Sequence, residues 1–459
     1  MRRACHRPQP PTASVTAAQP PSSSPRLARP AGIGSPFPDW VWRELQDLAR
    51  LDPRLYEQLD VYEYSFRPLE DAAARLTETY ARLESVLAPA PLAVFLFSGL
   101  KRGGAEFVGA NLVREAQAAY GAENVLVLVL DWPVTEARDW LADDTRLCTL
   151  MLDAPELSRE DRKAFVLHYL AGVRPLIVMN CNSGIGWDVY REHGAALKAH
   201  TRLGAFAFCF DYTDAGLAVG YPASHLPEAL PHLDVVISDH EGFAGRFDAL
   251  FAPPPEQLER IHPLYQPIEF IGPPTDARRE RKARPTVAWA SRICRQKRPE
   301  LVIEIAKLRP VYDFVVYGDL YEPEVYAQER FVAANLRYGG SFRTLRDLPT
   351  ETFDAFLYTA LYDGLPNIVL AAGAAGVPVV TASIGGLPEV IDDATGWPVP
   401  GDAPAEAYAE ALDLLFADPQ GGFDRAQALY ARLQARHTQE AYRERIAQLR
   451  LFSPKDGGG

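Results

Sequence analysis

Short runs of almost unbroken apolar residues, separated by stretches long enough to form helices, recur along this chain and decide what it can fold into. Five come first, at 92–97 (LAVFLF), 124–130 (NVLVLVL), 175–179 (PLIVM), 205–210 (AFAFCF) and 233–238 (LDVVIS). Others follow at 286–291 (TVAWAS), 312–318 (YDFVVYG), 353–359 (FDAFLYT) and 377–382 (VPVVTA). A strand that is apolar at every position has both faces buried, as happens when helices cover both sides of a parallel sheet. The intervening segments supply such helices, for example 107–120 before Gly121, 299–308 and 367–375. The stretch 273–285 (PPTDARRERKARP) breaks the series, being rich in proline and arginine with no apolar period, and reads as a linker. The expected fold class is therefore α/β, with two doubly wound, Rossmann-like parallel-sheet domains facing a cleft. Ligands of such domains bind at the carboxyl ends of the strands.

The expected division is a disordered leader at 1–38, a helical extension at 39–90, a first Rossmann-like domain at 91–272, the linker at 273–285, a second such domain at 286–404, C-terminal helices at 405–452 and a tail at 453–459. Within the extension, 42–51 and 69–87 carry apolar residues at helical spacing (Leu69, Ala73, Leu76, Tyr80, Leu83, Leu87) and should pack on the larger body. The leader has Arg2, Arg3 and Arg7 and no acid before Asp39, but prolines from Pro8 to Pro30 prevent an amphipathic targeting helix. The C-terminal helices are expected to pack across both domains.

Composition removes several function classes. Lys and Arg number 47 against 60 Asp and Glu, a formal charge of −13, which argues against a nucleic-acid partner. Cys5, Cys148, Cys181, Cys209 and Cys294 are odd in number and form no CxxC, so neither a disulfide framework nor a zinc knuckle is indicated, and a reducing, cytoplasmic location is expected. The longest weakly polar run, 368–384, is broken by Gly373, Gly376 and Pro378 and is too short to span a bilayer. No HExxH, GxSxG, GxxxxGK[ST] or GxGxxG motif is present, and no short-period repeat indicates a solenoid or propeller.

Three strand-to-helix turns carry candidate chemistry. In SGLKRGGAEF, Gly103 and Gly104 allow a ligand to approach the backbone at a helix amino end, although a tight turn alone also explains them. In ASRICRQKRPE, Arg292 and Lys297 place two cations where a diphosphate leaving group needs fixed positive partners; taken singly, such a pair is equally a solvated face. In LYTALYDGLPNIVL, Asp363 and Gly364 precede a helix marked by Pro366 and Asn367, whose free amides form a second phosphate cradle while Asp363 accepts hydrogen bonds from sugar hydroxyls. Gly385 and Gly386 make a further turn, with Glu389 after it.

As a set, Arg292, Lys297, Gly318, Tyr358, Gly364, Leu365, Pro366, Asn367, Leu370, Ala372, Gly376, Pro378, Gly385, Gly386 and Glu389 resemble the donor-binding domain of retaining GT-B glycosyltransferases of family four, particularly those of bacterial polysaccharide and lipopolysaccharide synthesis. The GGAE turn resembles the acceptor domain of the same family. The resemblance implies the GT-B fold and transfer of a sugar from a nucleoside diphosphate donor, of UDP or GDP type, to a glycan or lipid-linked acceptor. It also implies retention at the anomeric carbon and no cofactor or bound metal. Arg292, Lys297 and the turn Gly364, Leu365, Pro366, Asn367 would hold the diphosphate, and Asp363 would be the first of two acids spaced eight apart. The second of those positions is Ala371, which accepts no hydrogen bond, so a non-catalytic scaffold that binds nucleotide sugar or glycan is the competing reading. A glycan phosphorylase ranks well behind, since no lysine site for a pyridoxal group is identifiable.

On the acceptor side, Asp211 and Asp214 follow a strand end, where a carboxylate orients an acceptor hydroxyl or merely caps a turn. Trp187, in the loop after 175–179, offers either a sugar-stacking face or ordinary packing. His225 and His240 receive no role. The run Arg278, Arg279, Arg281, Lys282 and Arg284 would draw the protein to the inner face of an anionic membrane at ~1 kcal/mol per cation, against which Glu280 and the linker position favour simple solvation.

Overall fold

A computed structural model describes residues 47, 48, 50, 51, 71–213, 215–275 and 282–453. The chain divides into two compact units, Met1–Asp71 and Ala72–Gly459. In the first, residues 47, 48, 50 and 51 are helical, and Arg50 pairs with Asp47 at 2.6 Å. The leader and most of 42–51 lie outside the described residues.

Both sheets belong to the second unit. The first sheet comprises β1 (Ala93–Phe97), β2 (Val125–Val129), β3 (Arg146–Thr149), β4 (Ile177–Cys181), β5 (Arg202–Phe206), β8 (Val235–Ser238) and β9 (Ile261–Pro263), while β6 (Asp211–Tyr212) and β7 (Ala218–Val219) form a separate antiparallel pair. Its order is β3-β2-β1-β4-β5-β8-β9, and every pairing within it is parallel. The second sheet comprises β10 (Thr286–Ala290), β11 (Asp313–Tyr317), β12 (Leu336–Gly340), β13 (Ala355–Tyr358), β14 (Val379–Ser383) and β15 (Trp397–Pro400), in the order β12-β11-β10-β13-β14-β15, again all parallel. Chain direction across each sheet reverses between β1 and β4 and between β10 and β13, so the loops after those four strands face the natural ligand crevice.

The apolar runs become strands because helices cover them on both sides. Every residue of β1, β2 and β4 is buried. Each sheet separates two apolar clusters, one on each face. The helix Asp71–Leu87 packs Leu76, Leu83 and Leu87 into one face of the first sheet, with Tyr80 stacked on Phe165 at 4.3 Å. After the helices Ala405–Ala417 and Pro419–Arg436, which cover the second sheet, Gln439–Gln448 returns to the first, inserting Tyr442 and Ile446 beside β1 and β2. The chain thus crosses between the halves twice.

Two sequence-based boundaries differ from the structure where it matters. The run 205–210 is not a strand throughout: β5 ends at Phe206, and Phe208, Cys209 and Phe210 leave the sheet to form the crevice wall. The helix expected from 107 begins at Gly104, because Gly103 is extended (φ −128°, ψ 165°) and sets its first turn. In the linker region, 276–281 lie outside the described residues, as do Arg278, Arg279 and Arg281; Lys282 pairs with Asp354 at 2.6 Å and Arg284 with Asp313 at 2.5 Å. Among the described residues, no helix is long and apolar enough to cross a membrane.

Candidate functional site

The site grows from the ends of β10 and β13. Beyond β10, the single-turn helix Arg295–Lys297 turns the chain back into the protein, and the hydroxyl of Thr359, just past β13, donates to the carbonyl of Lys297 at 2.8 Å. Trp289 fixes that hydroxyl through an indole hydrogen bond of 3.0 Å. Lys297, the last residue of that turn, is consequently only 5% exposed. Its Nζ donates to Asp363 Oδ2 at 2.6 Å and to the Tyr358 hydroxyl at 3.1 Å, while that hydroxyl donates to the same carboxylate oxygen. The amide of Gly364 donates to the other oxygen, Oδ1, at 3.1 Å. Burial opposes ionisation of Asp363, but the charge and hydrogen bond of Lys297, with those from Tyr358 and Gly364, outweigh it and hold the carboxyl below its ordinary range. Arg292 stays exposed, with its guanidinium 5.6 Å from the Tyr321 ring centre.

The opposite wall is pinned to this turn by contacts that the sequence does not announce. Asp239, one residue past β8, accepts the Leu365 amide at 2.8 Å through Oδ2 and bonds His240 Nδ1 at 2.7 Å through Oδ1. Glu389 accepts the Gly242 amide at 3.1 Å with one oxygen and the Tyr265 hydroxyl at 2.6 Å with the other. Glycine is required at two places here. A Cβ on Gly364 would lie 2.3 Å from an Asp239 carboxylate oxygen, and one on Gly385, whose φ is +51°, would lie 2.1 Å from the carbonyl oxygen of Asp363. Gly385→Ala is therefore expected to destabilise the protein by about 1–3 kcal/mol, measurable by urea unfolding, because the obstruction is rigid backbone.

These contacts change the expected phosphate cradle. Of the four residues assigned to it, Gly364 and Leu365 have their amides engaged by Asp363 and Asp239, and Pro366 has no N–H. Asn367 begins the helix Asn367–Ala374, where a first-turn amide has no intrahelical partner, and so remains open to a ligand. Gly104 faces it from the other wall: a Cβ there would lie 3.7 Å from Asn367 Nδ2. Gly103 is backed instead by the carboxylate of Glu106, whose pKa is raised by burial against its own backbone amide, Arg292 and Lys101. Ala371 lies one helical turn beyond Asn367, on the same face.

A cavity of about 410 Å³ is lined from one side by Phe208, Cys209, Phe210, Tyr212, His240, Gly242, Phe243 and Arg246 and from the other by Leu361, Tyr362, Asp363, Ile384 and Gly385. Asp211 opens β6, between the lining residues Phe210 and Tyr212. Asp211 is exposed to solvent, yet the surrounding walls desolvate its carboxyl enough to raise its pKa, partly opposed by Arg292 and Lys297 and reinforced by Asp363, so it feels the opposite wall's charges. Asp214 lies outside the described residues. Trp187 is a correction: it is 0% exposed in the core of the first sheet, stacked on Tyr221 at 6.4 Å, and cannot face a sugar. His225 lies apart from the cavity, bonded to Asp188 at 3.3 Å. His240 and Asp239 are the site residues missed from sequence; their signal was a polar SDH triplet closing an apolar run. Among the described residues, no group of three or more His, Cys, Asp or Glu side chains is arranged to hold a metal.

Residues 275–436 match the family model described as glycosyl transferases group 1. No curated protein matches the chain in sequence. Its fold is similar to that of Anabaena HepE crystallised with UDP and glucose, at TM-score 0.61 and 16% identity over 79% of this chain and 100% of that one. It is also similar to the lipopolysaccharide outer core galactosyltransferase WaaB (0.58, 15%, covering 78% and 99%) and to the sucrose-phosphate synthase of Thermosynechococcus elongatus (0.61, 16%, covering 79% and 100%). The two parallel-sheet halves are those of the GT-B fold.

Proposed function

We propose that the protein is a glycosyltransferase that moves a sugar from a nucleoside diphosphate donor, UDP- or GDP-linked, to an acceptor hydroxyl, with retention at the anomeric carbon and without a bound metal. The observation that carries this reading is the Lys297–Asp363 pair at the crevice ends of β10 and β13, its lysine buried and its carboxylate partly open to the crevice, beside exposed Arg292 and the open Asn367 amide. The family match over 275–436 covers all of these residues.

In the proposed step the acceptor oxygen bonds to the anomeric carbon as the bond from that carbon to the diphosphate oxygen breaks. The acceptor's proton passes to the departing diphosphate. Arg292, Lys297 and the Asn367 amide offset the charge that develops on the leaving group. Asp363, held ionised by Lys297, is too weak a base for proton abstraction; it receives hydrogen bonds from the donor sugar and faces the positive charge of the transition state. Asp211, exposed at the start of β6 between two residues that line the cavity, is placed to meet the acceptor hydroxyl, and the raised pKa of its carboxyl suits that contact. The acceptor is a glycan or lipid-linked molecule, reached in the cytoplasm or at the inner membrane face.

Ala371 favours one competing reading, a scaffold that binds nucleotide sugar without turnover. Slow hydrolysis of a UDP- or GDP-sugar without acceptor supports the enzyme, whereas saturable binding with no hydrolysis supports the scaffold. Since Ala371 shares the Asn367 face, Ala371→Glu is expected to tighten nucleotide binding by one to two decades through a charged hydrogen bond to ribose worth ~1.5–3 kcal/mol. Unchanged affinity by titration calorimetry would show that this position does not govern ribose binding.

A further inference from the structure

Across the cavity from Asp363, the wall built by the first half of the protein carries a cation that the donor reading does not use. Arg246 lies in the helix Gly242–Phe251, in which Gly242 and Arg246 are one turn apart on the same face and both line the cavity. Its Nε donates to the Tyr212 hydroxyl at 3.2 Å, and its guanidinium lies 5.9 Å from the centre of the Tyr212 ring. These two contacts orient the side chain without neutralising it. Arg246 is exposed, and among the described residues no carboxylate pairs with it. The charges that act on Asp211, next to Tyr212 in β6, are those of Arg292, Lys297 and Asp363, not that of Arg246.

We infer that Arg246 and Tyr212 form an oxyanion site for the acceptor, which therefore carries a phosphate or a carboxylate; this rests on the donor reading above and narrows its glycan or lipid-linked acceptor to an anionic one. With Nε committed, the terminal nitrogens Nη1 and Nη2 are left to donate as a fork, the geometry that matches two oxygens of one phosphate or carboxylate. The Tyr212 hydroxyl accepts from Nε and keeps its own hydrogen, which it can donate to the same anion. Of the other polar groups of the cavity, His240 spends Nδ1 on Asp239, and the Asp363 carboxylate is offset by Lys297 at 2.6 Å, so its charge opposes an anion on the facing wall only weakly. The placement fits the proposed transfer. Asp211, where the acceptor hydroxyl is met, is the neighbour of Tyr212, while Arg292 and Lys297, the cations assigned to the donor diphosphate, do not line the cavity. Donor and acceptor anions are thus held by separate cations.

The test uses the full chain saturated with UDP, which occupies the donor cations, and reads binding of glucose 6-phosphate, glucuronate and the uncharged methyl glucoside by titration calorimetry. At least one of the two anionic sugars is expected to bind tenfold or more tightly than methyl glucoside; tighter binding of glucose 6-phosphate assigns the anion as a phosphate, and of glucuronate as a carboxylate. Arg246→Gln should bring that sugar to within twofold of methyl glucoside, and Arg246→Lys, which keeps the charge but not the fork, should recover only part of the loss. Both substitutions fall on an exposed side chain and should keep the cooperative melt of the parent. Binding of neither anionic sugar, equal binding of methyl glucoside, or a preference that survives Arg246→Gln overturns the inference. A preference for UDP-glucuronate over UDP-glucose that disappears in Arg246→Gln also overturns it, because the anion would then belong to the donor sugar. Failure of the donor reading looks different: neither UDP nor GDP binds, while the anion preference and its loss in Arg246→Gln persist in the free chain.

Discussion

Lys297→Met should lose about 3–5 kcal/mol of folding stability and, with it, most nucleotide affinity. Methionine replaces much of the buried stem but leaves the Asp363 carboxylate without its counter-charge, and an uncompensated buried charge costs that much. The effect has a pH signature. In the parent chain, Asp363 has a folded pKa below its unfolded value, near 3.9. Its ionised form therefore adds stability above that pH, which is lost as pH falls through the folded value. Without Lys297, burial dominates and the folded pKa lies above the unfolded one, so the group adds stability only in acid and loses it as pH rises. The variant's deficit should thus be largest at pH 7 and shrink toward pH 3 in denaturant titrations. A deficit independent of pH would mean that packing, not the ion pair, is what Lys297 supplies.

Asp363→Asn is expected to lower donor turnover by about 10²–10³-fold, the scale on which removal of one fixed electrostatic partner acts. The amide keeps the size and one acceptor oxygen but no charge, so the Lys297 ammonium becomes the unpaired buried ion and stability also falls. Because each single substitution strands the other partner, the double variant Lys297→Met with Asp363→Asn should be less destabilised than the two losses added together. A double-variant cycle by urea unfolding reads the coupling directly. Simple additivity would indicate that the 2.6 Å contact carries no net interaction in solution.

Much of the fold was legible because parallel strands buried on both faces leave an unmistakable apolar record, and Gly103, Arg292 and Asp363 follow the strands on either side of the two reversals in order. What escaped was set by other forces. The edge strands β3 (RLCT), β9 (IHP), β12 (LRYGG) and β15 (WPVP) are short and carry arginine, histidine, glycine or proline, since an edge need not be apolar throughout. The run 205–210 is apolar for two reasons at once: its first half is sheet core and its second half lines a cavity, a distinction that composition does not record. Asp239 acquires its role only by meeting Leu365, 126 residues away. Trp187 shows the converse, an aromatic beside polar neighbours that packing claims for the core. In sequence the donor cradle is four adjacent residues, but in the fold Gly364 and Leu365 spend their amides on Asp363 and Asp239, Pro366 has none, and only Asn367 among them keeps its amide open.

The central claim is that a nucleoside diphosphate is held between Arg292, Lys297 and the start of the helix Asn367–Ala374. Thermal unfolding with UDP, GDP and ADP, on the parent chain and on Arg292→Ala, tests it most directly, because Arg292 is exposed and its loss should leave the fold intact. One nucleotide, at a hundred times its dissociation constant, should stabilise the parent by ~2.7 kcal/mol and shift Arg292→Ala much less at the same concentration. No shift with any of the three, or an equal shift in both proteins, would contradict the account.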